Sequence, residues 1–465
     1  MKYTISMTET LFDAVRHHLS SPELECAGYL LGKTSVTSHE TRVLLREFIP
    51  VERSEITAAS RTGMSIMSSS FMRAMKRADR TNQVFYFIHS HPGEYRNFSE
   101  QDDKQEAQLM HTAYTRIEKP GPHGSMLLVG GRDLIARSWF DTGVSIPITR
   151  IRIIGTRLRF IDEGAEVDLD AVFDRQIVAF GGGIQALLRR LHVGVVGLGG
   201  TGSAVAEQLI RLGVGTLTVI DHDDLERSNV SRVYGSTLSH VGKPKVAVAH
   251  DNARRIGLDT DVRGVASSIT YERTAAILRE CDCIFGCTDD EWGRAILTRI
   301  ALYYYIPVID MGVRIASESG QIKNIQGRVT TLLPGAACLF CRNRISAEQV
   351  SRQAIDETNP ERASKLRAEG YLPELPGAEP AVIAFNSTLA SWAVIELLNR
   401  IVGFMGEERR TTEMIFLFDA AMIRPNAVSP SAQCFCSDPR YLGRGDVKPF
   451  LDMTWRADEE PHIAD

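Results

Sequence analysis

The sequence predicts an α/β protein in two parts: a mixed α+β domain over residues 1–150, and a Rossmann-like, doubly wound domain with a mostly parallel sheet over 165–440. Residues 441–465 are expected to form a C-terminal tail. Two observations carry this. First, a strand over 193–196, a glycine-rich turn, a helix over 203–212 and a strand over 216–220 make a strand–turn–helix–strand unit, and the alternation recurs to residue 311. Second, the first 150 residues mix short strands and helices without that regular alternation.

In the first part, 11–19 has a helical pattern, and 26–32, 42–49 and 84–88 read as strands. Residues 99–110 read as a polar helix with Ser99 as N-cap, followed by strands over 126–129 and 135–140. Period is lost over 142–161, which places the junction in 145–165. Helices are expected over 169–180 and from the Gly181-Gly182-Gly183 run to 191. After the first unit come a helix over 247–256, a strand over 283–287, a helix over 294–304 and a strand over 308–311. The polar, poorly periodic segment 345–380 reads as a long loop, 389–398 as a helix, and 455–465 as a loose acidic end.

Composition narrows the function classes. Apolar residues make up 43% and charged residues 24% of 465, as in folded soluble domains. Lys plus Arg is 53 against 58 Asp plus Glu, a net charge of −5, so no basic excess points to nucleic acid. The apolar runs at 284–287 and 415–418 are far too short to span a bilayer, and the first residues lack a signal-peptide core, so a cytoplasmic protein without membrane partners is expected. Eight Cys are too few for a disulfide framework, and the close pairs Cys338/Cys341 and Cys434/Cys436 point to metal.

The first chemical motif follows the strand at 84–88. His89 and His91 are two residues apart, so they share one face of a strand, and Asp102 on the next helix can complete a three-ligand site. Two imidazoles and a carboxylate leave a fourth position for water, the catalytic zinc arrangement. Taken alone, His-x-His is usually chance and Ser99-x-x-Asp102 a helix cap. The whole string His-Ser-His-Pro-Gly-Glu-Tyr-Arg-Asn-Phe-Ser-Glu-Gln-Asp resembles the JAMM motif of the JAB/MPN metalloproteases, and Glu25-Cys26-Ala27-Gly28 resembles their upstream Glu-x-x-Gly. The resemblance covers about residues 1–140. It implies zinc on His89, His91 and Asp102, Glu25 as general base, Ser99 as oxyanion donor, and cleavage after the terminal Gly of a ubiquitin-like protein.

The second motif is Gly197-Leu198-Gly199-Gly200-Thr201-Gly202, which opens a helix and allows close backbone approach to phosphate. Asp221 ends the next strand, where it can meet ribose hydroxyls; alone, this fits an NAD enzyme equally well. Asn229, Arg232 and Lys245 then add an array suited to a triphosphate, and Cys287-Thr288-Asp289-Asp290 ends a later strand, where a carboxylate can hold Mg²⁺. These strings, with Arg175-Gln176-Ile177 ahead of them, resemble the ThiF/MoeB/HesA adenylating family over roughly 170–440. The resemblance implies ATP in the cradle of Gly197, Gly199, Gly200 and Gly202, with Asp221 on ribose and Asn229, Arg232 and Lys245 on phosphates. It places Mg²⁺ on Asp289, with Arg294 as a lesser candidate for the pocket and Arg175 reaching the γ-phosphate of a partner subunit in a homodimer.

Cys338, Cys341, Cys434 and Cys436 would make a structural four-thiolate zinc site, though the second pair is Cys-x-Cys; two unrelated buried pairs are the alternative. No Cys lies in 342–433, where a thioester-forming residue would be expected. Three routes stay open: the chain stops at the adenylate for a sulfur donor or conjugating enzyme, it uses Ser346, Ser351, Ser364 or Ser387, or a partner supplies the thiol. Together the resemblances imply a bifunctional enzyme. It would process or remove a ubiquitin-like modifier with zinc and activate the modifier's terminal glycine with ATP, as in bacterial ubiquitin-like operons, some linked to phage defence. A sulfur-carrier activating protein and a non-catalytic scaffold binding nucleotide and modifier are the alternatives.

Overall fold

The computed structural model describes every residue except 22, 62, 120, 163–168, 360, 363, 365–379, 407–408, 458–461 and 465, and gives the backbone of 462–464. It divides into two compact units, Met1–Ala165 with Leu442–Asp446, and Glu166–Tyr441 with Val447–Asp465. Among the described residues no helix is long and apolar enough to cross a membrane.

Unit 1 is built from β1 (Lys2–Thr8), α1 (Glu9–Leu19), β2 (Ala27–Val36), β3 (Glu40–Pro50), β4 (Ile56–Ala59), β5 (Met64–Ile66) and α2 (Ser68–Arg80). It continues with β6 (Val84–His91), α3 (Glu100–Arg116), β7 (His123–Val129), β8 (Asp133–Trp139), β9 (Ser145–Pro147), β10 (Arg150–Ile154) and β11 (Leu158–Asp162). Its main sheet runs β11-β10-β1-β3-β2-β6-β7-β8-β9, with β4 and β5 as a separate hairpin. Both faces are covered. Phe12, Val15 and Leu19 of α1 pack with Leu30, Val43, Tyr86 and Ile88 on one side. Ala74 and Met75 of α2 and Met110 of α3 pack with Tyr29, Leu31 and Phe85 on the other. Tyr29, Leu30 and Leu31 therefore serve alternate faces, which is why β2 reads as continuous apolar sequence. Full burial of one such Leu is worth about 1.5–3 kcal/mol.

This unit runs past the expected edge at 150. β10 pairs parallel with β1, and β11 closes on β10. The pattern looked irregular there because a buried strand carries a charge: Arg152 is 4% exposed and pairs with buried Glu40 (Nη1–Oε1 3.0 Å), which Arg42 also reaches. Nor are 441–465 one separate tail. Asp446 caps the end of β2, accepting from Val36 N–H at 2.8 Å and donating to Thr34 O at 3.1 Å, while the Trp455 indole donates to Phe450 O within unit 2.

Unit 2 begins with α4 (Asp174–Phe180), α5 (Gly182–Arg190), β12 (His192–Val196), α6 (Gly200–Arg211), β13 (Thr216–Ile220), α7 (Lys245–Ile256), β14 (Asp261–Ala266) and α8 (Glu272–Ile277). It goes on with β15 (Cys283–Gly286), α9 (Glu291–Tyr304), β16 (Val308–Glu318), β17 (Gln321–Leu332), α10 (Ala347–Thr358), α11 (Ile383–Val402), β18 (Glu413–Leu417), β19 (Met422–Pro425) and β20 (His462–Ala464). The parallel core runs β14-β13-β12-β15-β16, a doubly wound sheet whose direction of winding reverses between β12 and β15. Antiparallel strands extend it: β17, β18 and β19 on one side, β20 on the other. In such sheets ligands bind beyond the carboxyl ends of the strands at the reversal. The loops after β12 and β15 leave from that point.

Part of the segment expected to be a loop over 345–380 is helical. Ser346 Oγ caps α10, and Gln353 Oε1 on that helix accepts from the Glu291 and Trp292 N–H groups that open α9 (2.8 and 2.9 Å). Gln353 thereby satisfies two of the orphan donors at the start of α9. Residues 365–379 of that segment, 163–168 of the expected junction and 458–461 of the acidic end lie outside the described residues.

Candidate functional sites

In unit 1, β6 carries His89-Ser90-His91 at its end. The imidazoles share one face, and Ser90 on the other ties the strand to the segment before β2: Ser90 N–H donates to Cys26 O at 2.9 Å, and Cys26 N–H to Ser90 Oγ at 3.0 Å. That stitching holds Glu25, 6% exposed, with Oε1 4.0 Å from His91 Nε2. Asp102 comes from the first turn of α3. Its Oδ1 lies 3.4 Å from His89 Nε2 and its Oδ2 3.6 Å from His91 Nε2. Tetrahedral zinc with bonds of about 2.0–2.1 Å separates its ligand atoms by about 3.4 Å, so the three atoms are spaced for one ion. His89 Nε2 is buried with no hydrogen-bond partner among the described residues, which fits a metal-ligand atom.

Ser99 and Asp102 form a capping box. The Ser99 N–H and hydroxyl each donate to Asp102 Oδ2 at 2.7 Å, and Ser99 Oγ accepts from Asp102 N–H at 3.2 Å. This pins the carboxylate and leaves Oδ1 toward His89. It also commits the Ser99 hydroxyl, so the oxyanion contact expected of it requires that proton to turn from Asp102. Burial alone would raise Asp102, but the nearby His89 and His91 imidazoles outweigh it and hold its carboxyl far below the usual range. Burial raises Glu25, with His89 and His91 opposing. A cleft of about 270 Å³ opens beside these groups, lined also by Met64 and Ile66 of the β4–β5 hairpin and by Phe71 and Phe87.

In unit 2 the turn after β12 is shaped for backbone contact. Gly197 has φ +90°, and a Cβ there would meet Cys287 O at 2.7 Å, so this turn lies directly against the loop after β15. A Cβ on Gly202 would meet Gly197 O at 1.7 Å, whereas one on Gly199 would meet nothing within 4 Å. Gly200 is pressed by Asn386 of α11, 2.0 Å from its hypothetical Cβ, with Arg232 Cδ at 3.4 Å. Asp221 is 8% exposed. It accepts from the Leu198 and Asp223 N–H groups (2.5 and 2.9 Å) and so ties the turn to the end of β13. Lys245 Nζ lies 3.6 Å from Asp221 Oδ1. Arg232 donates to Ser228 O at 3.0 Å and Asn229 is buried, while Asp289 is exposed beside the loop that abuts Gly197. Arg294 is turned to buried Asp310, at 3.4 Å. Arg175 is exposed on the short helix α4 and is not among the groups gathered at the turn.

The four cysteines meet. Cys338 and Cys434 sulfurs are 3.5 Å apart, as are Cys341 and Cys436, and Cys338 and Cys341 are 3.9 Å apart. Disulfides would need about 2.05 Å. Four sulfurs at about 2.3 Å from zinc stand about 3.8 Å apart, so the cluster fits a tetrahedral ion and the Cys-x-Cys bite is no obstacle. The idea of two unrelated pairs is thereby corrected. Of the candidate oxygen nucleophiles, Ser346 caps α10, Ser351 donates to Ala347 O at 2.8 Å, and Ser387 bonds Tyr234 at 2.9 Å; Ser364 is exposed.

Three groups escaped the sequence reading. Asn386 sits in a largely apolar helix whose contact with the glycine turn only packing reveals. Buried Asp310 pairs with both Arg294 and Arg328 beside Gly312. Glu106 stands one turn beyond Asp102, where helical spacing alone was the available signal.

Comparison with known proteins agrees with this division. The ThiF family model matches residues 173–436, and a model of prokaryotic homologs of the JAB domain matches residues 8–140. The chain belongs to the ThiF family, with a JAB-type segment ahead of the ThiF segment. It is 31% identical over 180 residues to the molybdopterin-synthase adenylyltransferase of Escherichia coli, covering 38% of this chain and 69% of that one. It is 32% identical over 160 residues to the sulfur carrier protein ThiS adenylyltransferase of Bacillus subtilis, covering 34% and 45%. It is 29% identical over 157 residues to the SAMP-activating enzyme E1 of Haloferax volcanii, covering 34% and 55%. The chain thus spans about half the length of the last two.

Proposed function

We propose that this chain both trims and activates one class of substrate: a small ubiquitin-like or sulfur-carrier protein ending in glycine. The observation that carries the activating half is the glycine turn at the sheet's reversal point with Asp221, Asn229, Arg232 and Lys245 around it, in a member of the ThiF family. ATP lies along the turn, Asp221 takes ribose hydroxyls, and Asn229, Arg232 and Lys245 neutralise phosphate oxygens. Mg²⁺ on Asp289 would screen charge between phosphates. A terminal carboxylate oxygen of the carrier attacks the α-phosphorus, the bridging P–O bond breaks, and pyrophosphate leaves. Orientation and charge neutralisation supply most of the acceleration. Arg175, exposed on α4, reaches the γ-phosphate of a second copy in a homodimer.

In the other half, His89, His91 and Asp102 would hold zinc, which when bound supplies Lewis acidity and acidifies water. Glu25 Oε1 takes the proton of the attacking water and passes it to the departing amine; burial raises its proton affinity, the direction that proton pick-up favours. The hairpin-lined cleft receives the extended tail. The structural zinc is assigned to Cys338, Cys341, Cys434 and Cys436. A second reading, favoured by the absence of Cys from 342–433, is that the adenylate goes to a sulfur donor rather than to a thioester on this chain.

The test is pyrophosphate exchange into ATP with a β-grasp carrier protein ending in Gly-Gly. Exchange that needs both carrier and Asp289 supports the reading, and carrier-independent exchange or none from a panel of such carriers overturns it.

A further inference from the structure

Behind the metal candidate stands a carboxylate with no role so far. Glu106 is 2% exposed on α3. Its Oε2 is held from three directions. The Ser125 hydroxyl donates to it, Arg137 Nε donates at 3.1 Å, and Arg137 Nη2 pairs with it. These partners are fixed in turn. Arg137 lies 3.8 Å from the centroid of the Phe98 ring and 4.7 Å from that of Trp139, and also pairs with Asp103. The Trp139 indole donates to Ser125 Oγ at 3.0 Å.

Among the described residues the other oxygen, Oε1, has no hydrogen-bond partner and lies 3.7 Å from His89 Nδ1, which has none either. Leaving a buried polar group without a partner is unfavourable. Here a buried acceptor and a buried ring nitrogen face each other less than an ångström beyond bonding distance. His91 shows the completed version, with Nδ1 at 3.2 Å from Tyr95 O and Nε2 toward Asp102.

We infer that Glu106 is a positioning residue for His89: Oε1 accepts the Nδ1 proton, which fixes the tautomer whose lone pair is on Nε2 and aims that atom at the metal position. The ring is then anchored through Glu106 to Arg137 and Ser125 on β8 and β7, so the sheet, not the ion alone, sets the ligand's direction. Such outer carboxylates also raise the basicity of the ligating nitrogen. The inference rests on the zinc reading above.

The test uses the full chain and zinc in competition with a chromophoric chelator. Wild type binds an ion at the four-cysteine cluster and another at His89, and H89A loses only the latter. E106Q and E106A weaken the second ion about 10- to 100-fold and leave the cysteine-bound ion unchanged. In the cobalt-substituted protein, wild type shows two exchangeable, hyperfine-shifted ring N–H signals and E106A loses one, a change that looser packing alone does not make. Should loss of the Glu106 charge beside Arg137 unfold these variants, E106Q/R137M removes both charges and carries the same measurement. Folded Glu106 variants with zinc affinity within twofold of wild type and both N–H signals retained overturn the inference alone. H89A binding as much zinc as wild type overturns the metal reading beneath it.

Discussion

Lys245 Nζ donates to Asp223 Oδ2 at 2.6 Å, so the amine assigned to phosphate is held by a carboxylate. Asp223 is half exposed and Lys245 is 9% exposed, which makes the aspartate the movable partner. An arriving triphosphate competes with Asp223 for that proton donor and meets its negative charge. D223N is therefore expected to tighten ATP binding by up to about fivefold, about 1 kcal/mol for a half-exposed pair. Calorimetric titration of nucleotide measures it. Weaker binding would mean that Asp223 is needed to place Lys245.

The glycine turn separates two kinds of loss. G202A drives a methyl into Gly197 O and is expected to lower both stability and nucleotide binding. G199A adds a methyl to open space, so its melting temperature should stay within a degree or two of wild type while ATP affinity falls, because that methyl stands where phosphate approaches. Equal melting losses in the two variants would contradict this use of the turn.

The four-cysteine cluster is expected to bear on folding. Thiolate zinc sites contribute directly to stability. Chelation at neutral pH should lower the melting temperature of unit 2 and leave unit 1 less affected, with differential scanning calorimetry resolving the transitions. C338S should reproduce the shift without chelator, and an unchanged melt after complete zinc removal would assign the cysteines to packing alone.

Glu40 gives a pH dependence away from any metal ligand. Burial opposes its charge, but Arg152, Arg42 and the Thr4 hydroxyl together hold its pKa at about 2. Its ordinary value is 4.5, so the folded state favours the ionised form. That stabilisation is full above about pH 4.5 and is lost as pH falls toward 2. At about 1.4 kcal/mol per pKa unit it amounts to about 3 kcal/mol. E40Q should lower stability at neutral pH by about 3–5 kcal/mol, since it takes the carboxylate charge away from two buried arginines, and flatten the acid limb. Urea unfolding between pH 2 and 7 checks both; an unchanged acid limb would contradict the account.

What was legible in the sequence was local. His89 and His91 could be paired because strand side chains alternate, and Asp102 because it opens the next helix. The strand–glycine–helix unit was visible because its period and turn residues are contiguous. β10 was hidden because Arg152, a charge, occupies a buried position and pairs with Glu40, more than a hundred residues away. α10 was missed although Ala347, Val350, Ala354 and Ile355 fall at helical spacing, because the polar residues between them and the Pro- and Gly-containing stretch that follows read together as loop. Asn386 and Glu106 lie against neighbours, Gly200 and His89, that only the packed chain brings near.

The central claim is that both halves act on one glycine tail, and intact-mass spectrometry tests it most directly. A Gly-Gly carrier bearing a short C-terminal extension is incubated with the full chain, zinc, Mg²⁺ and ATP. The account predicts loss of the extension after the terminal glycine, followed by pyrophosphate release and an AMP-bearing carrier. H89A should leave the extension in place and block activation, and D289A should trim without activating. Activation of the extended carrier by H89A, or pyrophosphate release with no trimming by the zinc-loaded wild type, would contradict it.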